Sequence, residues 1–340
     1  MFVGLRRLAF LAVPSLLVVG CAANSSAYAP TAAMQSSYTA PRLNPRSVSP
    51  AKVGNSNLFY VTNYEDTGNQ SAVLVYQKPL GRNPAPFRTI SNGLQIPADP
   101  VLDAHGALYV PNGCSFSGTG GSVQVYAKGQ SNPRETITNG INCPLGSAID
   151  PSQNLYISNV YVYGSSYYHG TITVYPHGKT KPSETIQGPL KAPHGLALDS
   201  HQNLFVADPY AGASVGQVFE VAKGTTTPVP LYLNGLTEPI EVATDGSDNL
   251  YVSDNVENVV QIYAPGQTSP EATLSDPNSG LVSYGICLDQ QGHLFVINIR
   301  FRGSKLPVID EYKNPLTNSS PFRAFTQDLM FPDGCAAKKF

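Results

Sequence analysis

PHGLALDSHQNLFVAD, residues 193–208, is the clearest copy of a unit that recurs along this chain of 340 residues. A proline precedes a short apolar stretch over 195–198, a polar turn follows at 200–202, and a second apolar stretch covers 204–207. Both apolar stretches are too short for helices and lie close together in the sequence. They therefore predict two paired antiparallel β-strands.

The second stretch of the unit recurs as a leucine followed by an aromatic residue. These leucines lie 44 to 50 residues apart, at Leu58, Leu108, Leu155, Leu204, Leu250 and Leu294. A period of about 40–50 residues, with several short strands in each repeat, is typical of β-propeller blades.

Each unit continues with an alternating strand, such as 123–126, then a Gly/Pro turn and an outer strand, such as 135–137. Six units of four strands predict an all-β fold, a six-bladed β-propeller with four antiparallel strands per blade. The first unit lacks an inner strand, and the tail at 334–338 is an inner strand with nothing after it. We expect the C-terminal strand to pair with the N-terminal blade, because this closes the ring and removes both free edges.

The repeated elements are Pro-x-Gly, a strand ending in Asp, Asn-Leu-Tyr-Val and Val-x-Val-Tyr. Together they resemble NHL-type repeats over about residues 55–340. The resemblance implies a propeller of the superfamily that includes the SMP-30/gluconolactonase group. Because that superfamily holds binding modules and several unrelated enzymes, the fold alone does not indicate one activity.

The composition narrows the class of protein. Only 13% of the residues are charged, Gly and Pro number 30 and 29, and the formal net charge is −2. This is typical of a turn-rich β-protein. A nucleic-acid-binding protein would present a basic face, and the sequence shows no sign of one, so we expect no nucleic-acid partner.

The first 20 residues have the anatomy of an export signal. Arg6 and Arg7 precede an apolar run over 8–19 that is too short to span a bilayer comfortably. The run ends in LVVGC at 17–21, which resembles the bacterial lipoprotein box. The resemblance implies a signal peptide over 1–20, cleavage before Cys21 and lipidation of its thiol. An ordinary secretory signal cut near residues 22–23 is the alternative.

Residues 21–50 are rich in Ala, Ser, Pro and Thr, and they carry little apolar mass. Such a segment cannot bury enough surface to order itself. We expect a disordered, lipid-anchored tether that holds the propeller at 51–340 on the bacterial cell envelope. The chain would be exported, facing the periplasm or the surface, with the lipid as its membrane contact.

The remaining cysteines lie in a chain for which export is predicted, where disulfides persist. Cys114 follows a second strand and Cys143 precedes a proline break, so both face the same end of a propeller and predict a disulfide. Cys287 and Cys335 lie inside apolar strands, and we interpret them as small buried residues.

The inner strands begin beside the central channel, so the residues at their starts should surround its mouth. Four of the six starts carry an ionisable residue, namely Asp99, His194, Glu241 and Asp333. Three carboxylates and an imidazole would suit a hard divalent cation such as Ca²⁺. The alternative is a polar mouth that holds only water.

This set resembles, in part, the calcium-dependent lactonases of the SMP-30/gluconolactonase and paraoxonase group, in which Glu, Asn and Asp at inner-strand starts hold the metal. The resemblance implies that Asp333 and Glu241 are ligands, that His194 stands where the family has Asn, and that Asp99 is a ligand or general base. The surroundings of His194 are also similar to those in the peptidyl-amidating lyase propeller. That family needs three such histidines, and only His194 is suitably placed here.

An Asp ends the inner strands at Asp103, Asp150, Asp199, Asp245 and Asp289, and an Asn or Asp follows each second strand. Such regular recurrence predicts turn-capping groups rather than catalytic ones.

A tyrosine-rich stretch contains Tyr161, Tyr163, Tyr167, Tyr168 and His169. On an exposed loop these residues would form a recognition surface. Alternatively, alternate tyrosines extend the strand and pack on a neighbouring blade.

The sequence shows no Gly-x-Ser-x-Gly elbow and no phosphate-cradling loop. We therefore expect first a monomeric binding or scaffolding module of the envelope, whose channel-mouth face meets a peptide, glycan or protein. The alternative is a metal-dependent lactonase or esterase-like hydrolase with calcium at the channel mouth.

Overall fold

The computed structural model of the chain describes residues 57–64, 71–114, 120–163, 167–212, 215–275, 282–299, 305–313 and 320–337, with the backbone alone at 161–163 and 167–168. Within these residues the chain forms 24 β-strands, which pair into six antiparallel sheets of four. The sheets follow one another around a ring, so the predicted six-bladed β-propeller is confirmed. No helix in this part of the chain is long and apolar enough to cross a membrane.

The strands of each blade run from the innermost, beside the ring axis, to the outermost. Blade 1 contains β24 (Phe331–Ala337), β1 (Leu58–Tyr64), β2 (Ala72–Gln77) and β3 (Arg88–Ile90). Blade 2 contains β4 (Val101–Leu102), β5 (Leu108–Asn112), β6 (Ser122–Tyr126) and β7 (Pro133–Ile137). Blade 3 contains β8 (Pro144–Ile149), β9 (Leu155–Tyr163), β10 (Tyr167–Tyr175) and β11 (Glu184–Ile186).

The second half of the ring repeats this arrangement. Blade 4 contains β12 (Leu196–Leu198), β13 (Leu204–Asp208), β14 (Gln217–Val221) and β15 (Val229–Pro230). Blade 5 contains β16 (Pro239–Thr244), β17 (Leu250–Asp254), β18 (Val259–Tyr263) and β19 (Ala272–Leu274). Blade 6 contains β20 (Val282–Leu288), β21 (Leu294–Ile299), β22 (Val308–Tyr312) and β23 (Arg323–Phe325).

The ring closes through the C-terminal strand, as the sequence predicted. β24 pairs antiparallel with β1 and places Cys335 opposite Val61. A disulfide then joins Cys335 to Cys287 in β20, the innermost strand of blade 6, at a sequence separation of 48. Cys287 and Cys335 are buried, as expected, but the interpretation as small buried residues left out this bond between neighbouring blades. The closure is therefore covalent as well as hydrogen-bonded.

The turns between first and second strands are held by the recurrent aspartates. In blade 4, Asp199 accepts hydrogen bonds at 2.7 Å from the backbone N–H of Asn203 and at 2.9 Å from its side-chain amide. The turn places Gln202 at a φ of 68°, which a capping carboxylate helps to stabilise. The same backbone bond recurs at Asp103, Asp150, Asp245 and Asp289. The predicted turn-capping role is confirmed.

The polar residues that end the second strands cap the loop that leads into the first strand of the same blade. Asp208 accepts hydrogen bonds from the backbone N–H groups of Lys191 and Ala192. Burial raises the pKa of Asp208 to about 6 although these bonds, and the charge of Lys191, act in the opposite direction. The caps fix where each inner strand begins, and so they position the channel mouth.

The tyrosine that ends the Val-x-Val-Tyr element joins neighbouring blades. The hydroxyl of Tyr126 in blade 2 donates at 2.6 Å to the carbonyl of Asn92, which follows the outer strand of blade 1. Tyr175 and Tyr263 make the same bond to the blade before theirs, both at 2.7 Å. Because each ring is buried between two sheets while its hydroxyl reaches a backbone carbonyl, this residue both fills the gap between blades and sets their register.

Candidate functional site

The inner strands come close together where they begin. The backbone N–H of Asp99 in blade 2 donates at 3.1 Å to the carbonyl of Leu145 in blade 3, and that of Gly195 in blade 4 donates at 3.0 Å to Ile240 in blade 5. A Cβ atom at Gly195 would overlap the carboxylate of Glu241 in the next blade. The glycine of the Pro-x-Gly element is therefore required here because a side chain of the neighbouring blade occupies the space beside it.

The four ionisable residues predicted for the mouth form two pairs. Asp333 belongs to blade 1 and Asp99 to blade 2, whereas His194 belongs to blade 4 and Glu241 to blade 5. Blades 1 and 4 are three positions apart in a ring of six, as are blades 2 and 5. The two pairs therefore lie on opposite sides of the ring axis.

Burial sets the charge of these groups. His194 is 4% exposed, and burial lowers its pKa to about 3, so the imidazole is neutral at physiological pH. Burial raises the pKa of the Asp333 carboxyl to about 7, although the residue keeps some exposure. Glu241 is buried, and its carboxylate accepts a hydrogen bond at 3.0 Å from the backbone N–H of Val242. The backbone N–H of Glu241 donates at 3.1 Å to the hydroxyl of Ser253.

A tyrosine that sequence reasoning did not include stands between the two pairs. Tyr284 is 7% exposed, and burial raises its pKa well above the usual value. The charge of Asp333 raises that pKa further, and Tyr64, Tyr210 and Glu241 act in the same direction. Each of these groups therefore lies close enough to Tyr284 to interact with it electrostatically. The mouth is an aromatic and acidic site rather than a purely acidic one.

A signal for one of the three tyrosines was present in the sequence. Tyr284 occupies the same position before glycine as His194 and Asp333 do, and it carries a hydroxyl. Tyr64 ends β1, and Tyr210 lies just after β13. Nothing in the sequence indicates that those two approach Tyr284, because their places depend on how the blades meet.

The four residues do not supply a site for calcium in this arrangement. Among the described residues, which include all four, no group of three His, Cys, Asp or Glu side chains is placed to hold a metal ion. A Ca²⁺ site takes six to eight oxygen ligands. The metal role of Asp99, His194, Glu241 and Asp333 therefore stays a prediction without a converging ligand set.

The tyrosine-rich stretch is a β-hairpin extension. β9 and β10 are nine residues long, whereas their counterparts in blade 4 are five. The register places Tyr161 opposite His169 and Tyr163 opposite Tyr167. Residues two apart on a strand share a face, so these four positions lie on one face of the hairpin, and Tyr168 belongs to the other. His169 is exposed, and the side chains of the four tyrosines lie outside the described residues.

The base of this hairpin is anchored in a small apolar cluster. Val160 packs with Cys143 and Ala192, and Tyr210 lies against them. Cys143 forms a disulfide with Cys114, which lies in the connection after β5. The cluster thus ties together chain from blades 2, 3 and 4 at the face where the hairpin projects.

The connections between successive strands of a blade differ in how far their lengths vary. The turns between first and second strands cover five residues in blades 2 to 6, at 103–107, 150–154, 199–203, 245–249 and 289–293. The connections between second and third strands range from three residues, at 164–166, to nine, at 113–121. We call the end of the ring that carries the connections between second and third strands the loop face. It is also the end where the inner strands begin, so it contains the channel mouth.

Fold and site together define a six-bladed β-propeller with an aromatic and acidic channel mouth. No protein-family model matches the sequence, and no curated protein matches it. Among solved structures, a protein of unknown function from Bacteroides caccae is similar with a TM-score of 0.56 and 11% identity, over 82% of this chain and 98% of that one.

Two further solved structures share the fold. A chain of a nidogen–laminin complex has a TM-score of 0.59 and 15% identity, over 82% of this chain and 97% of that one. A proposed 6-phosphogluconolactonase from Bacteroides uniformis has a TM-score of 0.53 and 15% identity, over 82% and 84%. At these identities the likeness shows the propeller fold alone.

Proposed function

We propose that this chain is an exported, lipid-anchored propeller with NHL-type repeats that binds a peptide, glycan or protein partner at its loop face. The observation that carries the proposal is the β9–β10 extension at the loop face, beside connections whose length differs from blade to blade. β9 and β10 are nine residues long, and the connections between second and third strands cover three to nine residues. Variable connections on a rigid scaffold are where binding functions concentrate.

The cysteines and the N-terminal segment support the proposed location in the cell envelope. The two disulfides are typical of proteins in an oxidising compartment, such as those outside the bacterial cytoplasm. The lipoprotein box that ends in Cys21 and the tether over 21–50 lie outside the described residues. Together they support an envelope protein whose lipid anchors it and whose loop face stays accessible.

The chemistry of the loop face suits recognition. The hairpin positions carrying Tyr161, Tyr163, Tyr167 and His169 offer aromatic residues on one face of a projecting element. Tyrosine combines a rigid apolar ring with a hydroxyl, which fits the edges of sugars and peptides equally well. The likeness to a chain of a nidogen–laminin complex supports the compatibility of this fold with a protein partner.

A second candidate is a hydrolase of lactone or ester bonds at the channel mouth. The observation in its favour is the Asp333 carboxyl, whose pKa burial raises to about 7, beside the buried Tyr284. A group that titrates near neutral pH is suited to proton transfer. The structural similarity to a proposed 6-phosphogluconolactonase also supports the hydrolase candidate. Because no three metal ligands converge there, we place this candidate second.

The binding proposal is tested with the full chain purified in mild detergent. Its binding to arrayed glycans, peptides and envelope proteins is compared with that of a Tyr161→Ala, Tyr163→Ala variant and a Val229→Ala control. Val229 is an exposed apolar residue at the start of β15, at the opposite end of the ring of blades. We expect saturable binding that the tyrosine variant loses at unchanged melting temperature and that the control keeps.

Two outcomes would count against the proposal: no saturable binding by the wild-type chain, or binding that both variants retain. The hydrolase candidate is tested in parallel by metal analysis and a screen of lactones and esters. Stoichiometric metal and hydrolysis that Asp333→Ala abolishes would favour the hydrolase over the binding module.

A further inference from the structure

A cavity of about 370 Å³ lies far from the channel mouth, at the outer rim where blade 6 meets blade 1. The connection after β2 lines one side with Leu80, Gly81 and Arg82, and the start of β23 lines the other with Phe322, Arg323 and Ala324. Its volume falls within the range of small-molecule sites. It opens on the face opposite the loop face, because β2 ends and β23 begins at that end of the ring.

The cavity is cationic with an apolar wall. Arg82 makes no ion pair with a described carboxylate, and its side chain lies at the exposed rim. Arg323 gives one N–H to Glu311 at 2.8 Å, and the rest of its guanidinium donors remain for another partner. The ammonium of Lys313 lies 3.5 Å from the centre of the Phe322 ring. Positive charge therefore exceeds negative charge around this cavity.

The nearby carboxylates are already engaged. Asp289 pairs with Lys78 of blade 1, and His293 lies between Asp289 and Glu311 at 3.4 and 3.3 Å. Each carboxylate thus has a cation of its own. The positive charges of Arg82 and Lys313 take no part in these ion pairs, and they can attract an anion from solution.

The cavity is formed in advance of any ligand. The side-chain carbonyl of Asn83 accepts hydrogen bonds at 3.1 and 3.3 Å from the backbone N–H groups of Thr326 and Gln327. These bonds hold the connection after β2 against blade 6. Phe322 is 52% exposed, although a ring of this size would ordinarily be covered. Its exposed surface and Leu80 offer an apolar wall beside the two guanidinium groups.

We propose that this cavity is a binding site for a small organic anion, with a phosphate or carboxylate held between Arg82 and Arg323 and an apolar group against Phe322 and Leu80. Guanidinium forks bind such oxyanions with two parallel hydrogen bonds. A ligand held this way contacts blades 1 and 6 together, so its binding stabilises the closed ring. The site is independent of the loop face and of the partner proposed there.

The test uses the full chain in mild detergent and three probes, measured by calorimetry and by thermal shift. Phenyl phosphate carries the anion and the ring, inorganic phosphate the anion alone, and phenol the ring alone. We expect phenyl phosphate to bind best and phenol not to bind. Arg82→Gln should weaken phenyl phosphate by about tenfold or more, as expected for a charge-assisted hydrogen bond.

Phe322→Ala should remove the advantage of phenyl phosphate over inorganic phosphate, and the exposed Lys181→Gln on blade 3 should change nothing. A water-soluble short-chain phosphatidylglycerol in place of phenyl phosphate distinguishes a lipid headgroup from a free metabolite by which of the two binds more tightly. The proposal is overturned if no anionic probe binds saturably to the folded chain. It is also overturned if binding is unchanged in Arg82→Gln and Phe322→Ala.

Discussion

Replacing Asp333 with Asn should make the protein more stable at neutral and alkaline pH. In the folded chain, burial raises the pKa of this carboxyl from 3.8 to about 7. The folded state therefore holds its proton more tightly than the unfolded state does. Well below pH 4 the carboxyl is protonated in both states. As the pH rises from about 4 to 7, the unfolded chain releases the proton while the folded state keeps it, so the wild type loses stability over this range and the loss is complete above pH 7.

The size of the effect follows from the pKa difference. About three pKa units at roughly 1.4 kcal/mol each give an upper bound of about 4 kcal/mol in the free energy of unfolding. Asp333 keeps some exposure, so water lowers the burial penalty, and we expect about 2–4 kcal/mol above pH 8. Asparagine has nearly the same shape and no charge to ionise. The variant should match the wild type at pH 4 and exceed it at pH 8.

The measurement is urea unfolding of both proteins at pH 4, 6 and 8. Asp208 titrates in part of the same range, because burial raises its pKa to about 6. It is present in both proteins, so the difference between them isolates Asp333. Glu271→Gln, at an exposed carboxylate of blade 5, is the matched control and should show no difference at any pH.

Two results would refute the reasoning. The first is a difference between variant and wild type that is the same at pH 4 and pH 8. The second is a variant that is less stable at pH 8, which would mean that the charge of Asp333 has a favourable partner. If a chelator then removed the advantage of the wild type, that partner would be a bound cation, and the hydrolase candidate would gain support.

Two further predictions concern the scaffold. Replacing both Cys287 and Cys335 by Ala should lower the free energy of unfolding by about 4 kcal/mol, because the disulfide closes a loop of 48 residues and so reduces the entropy of the unfolded chain. Urea unfolding of the two proteins measures this difference. A reductant should destabilise the variant less than it destabilises the wild type. Ser253→Ala should lower the free energy of unfolding by about 1–3 kcal/mol. The buried Ser253 hydroxyl accepts a hydrogen bond from the backbone N–H of Glu241 and donates one to the carbonyl of Tyr284. The exposed Ser247→Ala is its control, and an equal effect of both would contradict the role given to the buried hydroxyl.

Much of the fold could be predicted from short stretches of sequence because each blade is built from local contacts. Asp199 caps a turn that closes within four residues, and the apolar run over 204–207 is too short for a helix. Repeating this unit every 44 to 50 residues left one architecture, and the missing inner strand of the first unit required the tail to supply it. These inferences need no knowledge of how distant parts of the chain meet.

The candidate site depends on contacts between blades, which local patterns do not encode. The register of the repeats correctly placed Asp99, His194, Glu241 and Asp333 at the starts of inner strands. It did not show that they form two opposite pairs, because that follows from their positions around a ring of six. The convergence of Tyr64 and Tyr210 on Tyr284 involves residues up to 220 positions apart, and only the closed ring brings them together.

The disulfide between Cys287 and Cys335 and the cavity at the outer rim also depend on contacts between blades. Cys287 and Cys335 each look like an ordinary buried residue within their own strand, and their bond exists because β20 and β24 become neighbours at ring closure. Arg82 and Arg323 are 241 residues apart in the chain and line one cavity for that reason. The periodic sequence specifies the blade, since a blade is held by bonds between near neighbours. Packing between blades specifies the chemistry of the sites, since their groups come from separate blades.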